Sequence, residues 1–136
     1  MVDDRFPGMQ GLDRVGLAKA LDAEIFTLCV KEPFPYGAVA EMQPTPPQEF
    51  FDAQERIAAN RVQEVVDLCR KAGVSCQAHT VEALHPWEAI IEHARRMQCD
   101  LLVMASHGRR GVSALLLGSE TQKVLTHSKV PVLVVR

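Results

Sequence analysis

Two patterns of apolar residues alternate along the 136-residue chain: short unbroken runs, and longer stretches with apolar positions three or four apart. The first kind suits a strand buried on both faces, the second a helix with one covered side. Leu12 to Leu21 reads as a helix, with Leu17 and Leu21 four apart. Ile25, Phe26, Leu28, Cys29 and Val30 then form a nearly continuous run, a buried strand ended by Pro33 and Pro35. Residues 33–47, PFPYGAVAEMQPTPP, make a connection near the upper length for a compact domain; a functional loop and a plain linker both fit. Thr45 is the expected N-cap of a long helix, with Pro46 in its first turn and Gln48 in the capping-box position. That helix should reach Ala72 on a stripe of Phe50, Ile57, Val62, Val65, Val66 and Cys69. Gly73 stops it, behind Arg70 and Lys71, whose charge suits the negative end of the helix dipole.

Residues 74–81, VSCQAHTV, predict a strand near a sheet edge, with Val74, Cys76, Ala78 and Thr80 facing one way. Pro86 opens the next helix, which covers Ile90, Ile91 and Ala94, ends near Gln98, and leaves His93 in solvent beside Arg95 and Arg96. Residues 101–105, LLVMA, are a second fully buried strand. A glycine-bearing loop leads to a helix from Ser119 to His127, where Ser119 and Gln122 form another capping-box signature. The last strand is VPVLVV, 130–135; Pro131 lacks an N–H, so this strand begins at an edge or at its first residue. Strands alternating with helices predict a single α/β domain over residues 1–136. Its sheet is open, twisted and mostly parallel, with helices on both faces and right-handed crossovers.

Composition narrows the function. With 15 Lys+Arg against 17 Asp+Glu the formal net charge is -2, so bulk attraction to nucleic acid is not expected. No apolar run approaches the roughly 18 residues of a membrane span, and the opening MVDDRFPGMQG lacks the apolar core of a secretory signal. Cys29, Cys69, Cys76 and Cys99 lie in or beside apolar segments without a CxxC pair. They read as buried thiols in a reducing compartment, the cytoplasm, and not as zinc ligands.

The candidate chemistry lies between Met104 and Ser119. A buried strand delivers the chain to Gly108, and Gly118-Ser119 opens a helix. Ligands of a parallel α/β sheet gather beyond the carboxyl ends of its strands. Gly108 lets backbone approach a ligand, and the free N–H groups of Glu120 and Thr121, with Ser119, suit phosphate oxygens. Arg109 and Arg110 can add bidentate contacts. By themselves these residues equally fit a loop turned by Gly108 and Gly111 and a helix capped by Ser119. Neither a P-loop nor a GxGxxG fingerprint is present.

The stretch HGRRGVSALLLGSETQKVLTHSKVPVLVV closely resembles the universal stress protein family. That family carries a Gly-x-x-Gly-x9-Gly-Ser/Thr motif, whose frame falls here on Ala105, Gly108, Gly118 and Ser119. The phrases LAKALDAEIFTLCVKEPF and HPWEAIIEHARRMQCDLLVMASHG agree with it too. The resemblance implies a Rossmann-like fold of the adenine nucleotide alpha hydrolase type. It also implies a module that binds ATP or a related adenine nucleotide in response to stress, with no metal beyond nucleotide-associated magnesium. The backbone around Val30 would contact adenine, Met104 and Ala105 would line base and ribose, and Ser106, His107, Gly108 and Arg109 would follow the phosphates. Gly118, Ser119 and Glu120 would close around them. The resemblance further implies a homodimer through the last strands, Val132 to Val135, which would satisfy an otherwise open apolar edge.

The chain departs from the family pattern in two places. The leading glycine of the motif is Ala105, and the usual first strand with its nucleotide-contacting Asp is missing; only Asp3 and Asp4 stand near its place. In the family order 3-2-1-4-5 that strand is central, so residues 1–10 are rearranged, a partner or neighbouring segment fills the gap, or the domain is a damaged copy. The alternative reading is therefore a dimerising scaffold or signalling protein that binds no nucleotide. No dedicated reaction is expected beyond weak ATP hydrolysis, because a catalytic reading needs a nucleophile and base held together. Ser106 beside His107 is a poor pair, and no paired carboxylates stand at a strand end.

Overall fold

The computed structural model describes residues 14–34, 47–106 and 117–135. Helix α1 (Arg14–Ala20) leads into strand β1 (Ile25–Lys31), then the long helix α2 (Gln48–Ala72) and strand β2 (Cys76–Glu82). Helix α3 (Pro86–Arg96), strand β3 (Leu102–Ala105), helix α4 (Ser119–His127) and strand β4 (Val132–Val135) complete the order. This is the expected α/β alternation, an open mostly parallel sheet with helices on both faces.

Among the described residues the strands form two parallel ladders. β1 pairs with β2 from Ile25 opposite Cys76 to Lys31 opposite Glu82. β3 pairs with β4 from Leu102 opposite Val132 to Ala105 opposite Val135. Alternation along each strand sends side chains to two cores. Ile25 packs with Val15 and Ala18 of α1 and with Val65 and Cys69 of α2. Leu28, Leu102 and Met104 pack with Ile90 and Ala94 of α3 and Val124 of α4. Helices α1 and α2 thus cover one face, α3 and α4 the other, and the second core spans both ladders.

Several local expectations change. Pro47, not Thr45, is the N-cap of α2, with extended backbone (φ -62°, ψ 132°) and no side-chain cap. Thr45 and Pro46 lie outside the described residues. The Gln48 amide turns forward along the helix and donates to Asp52 (3.0 Å). Ile57 is exposed and Ala58 takes its buried place, because the stripe that meets β1 and β2 runs Ala58, Val62, Val65, Cys69. Gly73 does end α2, in the left-handed conformation (φ 73°) that L side chains resist. In β2, Ala78 is exposed although Cys76 packs in the first core. Helix α3 stops at Arg96, and Ile91 is only half-buried. His93, expected in solvent, is 3% exposed. It takes the inward position one turn before Met97, held there by polar partners described below.

Candidate functional site

The site begins where β3 ends. Leu102, Val103, Met104 and Ala105 are all buried, so the strand is fixed from both faces before the chain turns out. Ser106 extends the ladder by one bond, its N–H donating to the Val135 carbonyl (2.8 Å). Its own carbonyl accepts the Gly118 N–H (2.8 Å). Three residues on, in the first turn of α4, the Thr121 hydroxyl donates to the Ala105 carbonyl (2.9 Å) in the interior. These two bonds latch the start of α4 to the end of β3. The two stretches that the sequence singled out therefore meet at the carboxyl end of the sheet.

The latch decides which amides remain for a ligand. Gly118, and not Ser119, is the N-cap; its N–H is spent on Ser106 and its carbonyl accepts the first helical bond, from Gln122 (3.0 Å). The expected capping box does not form: Ser119 is the first helical residue, and the Gln122 side chain donates to the Leu117 carbonyl instead (2.9 Å). The N–H groups of Ser119, Glu120 and Thr121 precede the first intrahelical bond. Among the described residues no hydrogen bond engages them outside the helix. They form the positive end of α4, a place where anionic oxygens are stabilised.

Glu120 plays a part that the sequence did not suggest. Its carboxylate accepts the backbone N–H of Trp87 (2.9 Å), in the first turn of α3, and pairs with Lys123 (3.3 Å). Its negative charge is thus turned to the neighbouring helix start, leaving its N–H for the α4 terminus. Val30 sits near the carboxyl end of β1, half-buried against the second core. The adjacent Lys31 forms an ion pair with Glu55 of α2. Ala105 is 3% exposed, so its methyl group is accommodated in the interior. His107, Gly108 and Arg109, with Arg110 and Gly111, lie outside the described residues. The structure thus gathers Met104, Ala105, Ser106, Gly118, Ser119 and Glu120 at one place.

A second polar cluster escaped the sequence reading. His79 of β2 and His93 of α3 meet ring nitrogen to ring nitrogen, Nδ1 to Nε2, at 2.7 Å with perpendicular rings. Arg96 approaches the other nitrogen of His93, Nδ1, at 2.9 Å. A guanidinium only donates, so Nδ1 accepts and the neutral His93 carries its proton on Nε2, directed at His79. Burial first, then His79 and Arg96, hold the His93 pKa below its ordinary value of 6.5. The two histidines lie 14 residues apart on different elements, and only the packing of those elements joins them.

Other candidates carry little chemistry. Burial and the neighbouring Cys69 thiol push Cys76 up to about 12, so it stays a thiol at neutral pH. None of the four cysteines is in a disulfide; only Cys69 is buried, and Cys29, Cys76 and Cys99, expected in the interior, are half-buried. Trp87 packs on the His127 ring, centroids 4.5 Å apart. An open cleft of about 660 Å³ beside them, over α3, is lined by neither Met104–Ser106 nor Gly118–Glu120. Among the described residues no group of three or more His, Cys, Asp or Glu could hold a metal, and no helix is long and apolar enough to cross a membrane.

Comparison with known proteins agrees with this architecture. Residues 10–136 match the model of the universal stress protein family. The universal stress protein MJ0531 of Methanocaldococcus jannaschii is 29% identical over 123 residues, 90% of this chain and 70% of that protein. The solved structure of MJ0577, from the same organism, superposes with a TM-score of 0.71 at 26% identity, covering 89% of this chain and 83% of that one. A universal stress protein solved in complex with cAMP has a TM-score of 0.60 at 24% identity, over 90% of this chain and 80% of its own.

Proposed function

The chain belongs to the universal stress protein family, and from that premise we propose that it is a regulatory module that binds an adenine nucleotide, ATP among them. The observation that carries the reading is the latch between Ser106 and Gly118. It sets the outward amides of Ser119, Glu120 and Thr121 beside the end of β3, where a phosphate chain can lie along the helix start. The half-buried edge of β1 at Val30 supplies backbone groups for the base, and Met104 and Ala105 the wall behind the ribose. The complex of the similar protein with cAMP supports an adenine nucleotide as the ligand class. His107, Gly108 and Arg109 would follow the phosphates, with magnesium arriving only on the nucleotide.

Binding is the function, and turnover is at most slow ATP hydrolysis, because no described base faces the α4 terminus. The module works in the cytoplasm as a homodimer joined through β4, whose outer edge offers the backbone groups of Val132 and Val134. Calorimetric titration with ATP, AMP and cAMP tests the reading. Saturable binding of at least one at submillimolar concentration is expected. No binding of any at millimolar nucleotide would overturn it and leave the dimerising scaffold as the function.

A further inference from the structure

We propose that the open cleft over α3 binds a small organic cation with an apolar body, such as an arylalkylammonium compound, at a place separate from the α4 terminus. Leu84, Trp87, Glu88, Ile91, Glu92 and His127 line this cleft, just past the carboxyl end of β2. Its volume of about 660 Å³ is that of a small-molecule site. The walls are fastened from three sides. The Ala83 N–H donates to the Lys31 carbonyl (3.1 Å), which carries the β1–β2 ladder up to the residue before Leu84. The Trp87 N–H is held by the Glu120 carboxylate (2.9 Å). His127 Nδ1 meets the Lys123 carbonyl (2.8 Å), which only accepts, so Nδ1 carries the proton. The Trp87 and His127 rings then lie against each other, tilted by 36°, and join α3 to α4 as one aromatic wall. Leu84, 74% exposed, adds apolar surface that a ligand would take out of water.

Charge decides the sign of the ligand. A helix start ordinarily draws anions through its free N–H groups. The start of α3 has none to offer. Pro86 lacks an N–H, that of Trp87 is spent on Glu120, and that of Glu88 is directed to the His85 carbonyl (3.2 Å). Two carboxylates then line the cleft one helical turn apart, Glu88 and Glu92. Arg95 grips both oxygens of Glu92 (2.7 and 3.1 Å) and holds its pKa below the ordinary value. Glu92 is therefore satisfied within α3, and Glu88 is the lining carboxylate left to pair with a ligand. Arg95 and Lys123 are not lining residues, and each is paired, with Glu92 and Glu120. An ammonium group beside Glu88 and near the Trp87 ring gains an ion pair and a cation–π attraction, while its apolar body covers Leu84 and Ile91. Phosphate groups meet only repulsion there, so the reading does not depend on whether a nucleotide binds.

Trp87 is the chain's one tryptophan, so its emission reports on the cleft directly. Titrating the full chain with 4-phenylbutylamine should shift that emission saturably, with a dissociation constant in the low millimolar range or below. Two controls, 4-phenylbutanoate with the opposite charge and butylamine without the ring, should each bind about tenfold more weakly or worse. Glu88 is exposed, so Glu88→Gln leaves the core intact; it should weaken 4-phenylbutylamine about tenfold. The proposal is overturned by the absence of a saturable shift, by equal binding of the amine and the carboxylate, or by unchanged affinity in Glu88→Gln. Emission that changes with protein concentration alone would also overturn it, by giving the cleft to a second copy of the chain.

Discussion

Ser119 lies exposed in the first turn of α4, where the helix dipole and a bound phosphate make opposite demands on a substituted acid. An aspartate there gains about 0.3–1 kcal/mol from the helix terminus but puts a negative charge where phosphate oxygens would sit. Ser119→Asp should therefore keep or raise the melting temperature while weakening nucleotide affinity about tenfold or more, roughly 1.4 kcal/mol, as read by calorimetric titration. His93 makes a different prediction. Its folded pKa lies below 6.5, so the unfolded chain binds the proton first as pH falls. Stability is full above about pH 6.5 and declines as pH drops through that value. Urea denaturation should show a lower midpoint at pH 5 than at pH 7.5. In His93→Gln, which keeps a donor and an acceptor without titrating, that difference should shrink.

At the scale of elements, the connection from β3 to α4 matters most, and the Thr121 hydroxyl is one of its two fastenings. Thr121→Val keeps the branched shape and leaves the Ala105 carbonyl buried without its donor. It should cost about 1–3 kcal/mol, measured by urea denaturation against the parent chain. Helix and strand types were legible in the apolar spacing, and Gly73 marked the end of α2 correctly. Pro86 and Ser119 opened their helices as expected, but the capping residues were not legible. Thr45 and Ser119 both carry capping chemistry, yet Pro47 and Gly118 are the caps. At α4 the reason is visible: the chain is held one residue earlier by Ser106, a bond between segments that local propensity does not contain. The inward turn of His93 was hidden for the same reason, since its partner His79 lies on another element.

At the scale of the whole molecule, the outer edge of β4 stands where a second copy would pair in the proposed dimer. In β4, the carbonyls of Pro131 and Val135 bond to β3, so the N–H of Val134 points outward. Val134→Pro removes that donor without removing a bond to β3. Sedimentation should show a dimer for the parent chain and a monomer for the variant. The amino-acid sequence alone determined the family resemblance, the α/β alternation and the stretch from Met104 to Ser119, because apolar periodicity and motif spacing are properties of neighbouring residues. Tertiary structure alone decided which amides of α4 stay free, where the Glu120 charge is directed, and that His93 meets His79. Each of those depends on hydrogen bonds between segments far apart in the chain, which form only once the helices have packed against both faces of the sheet.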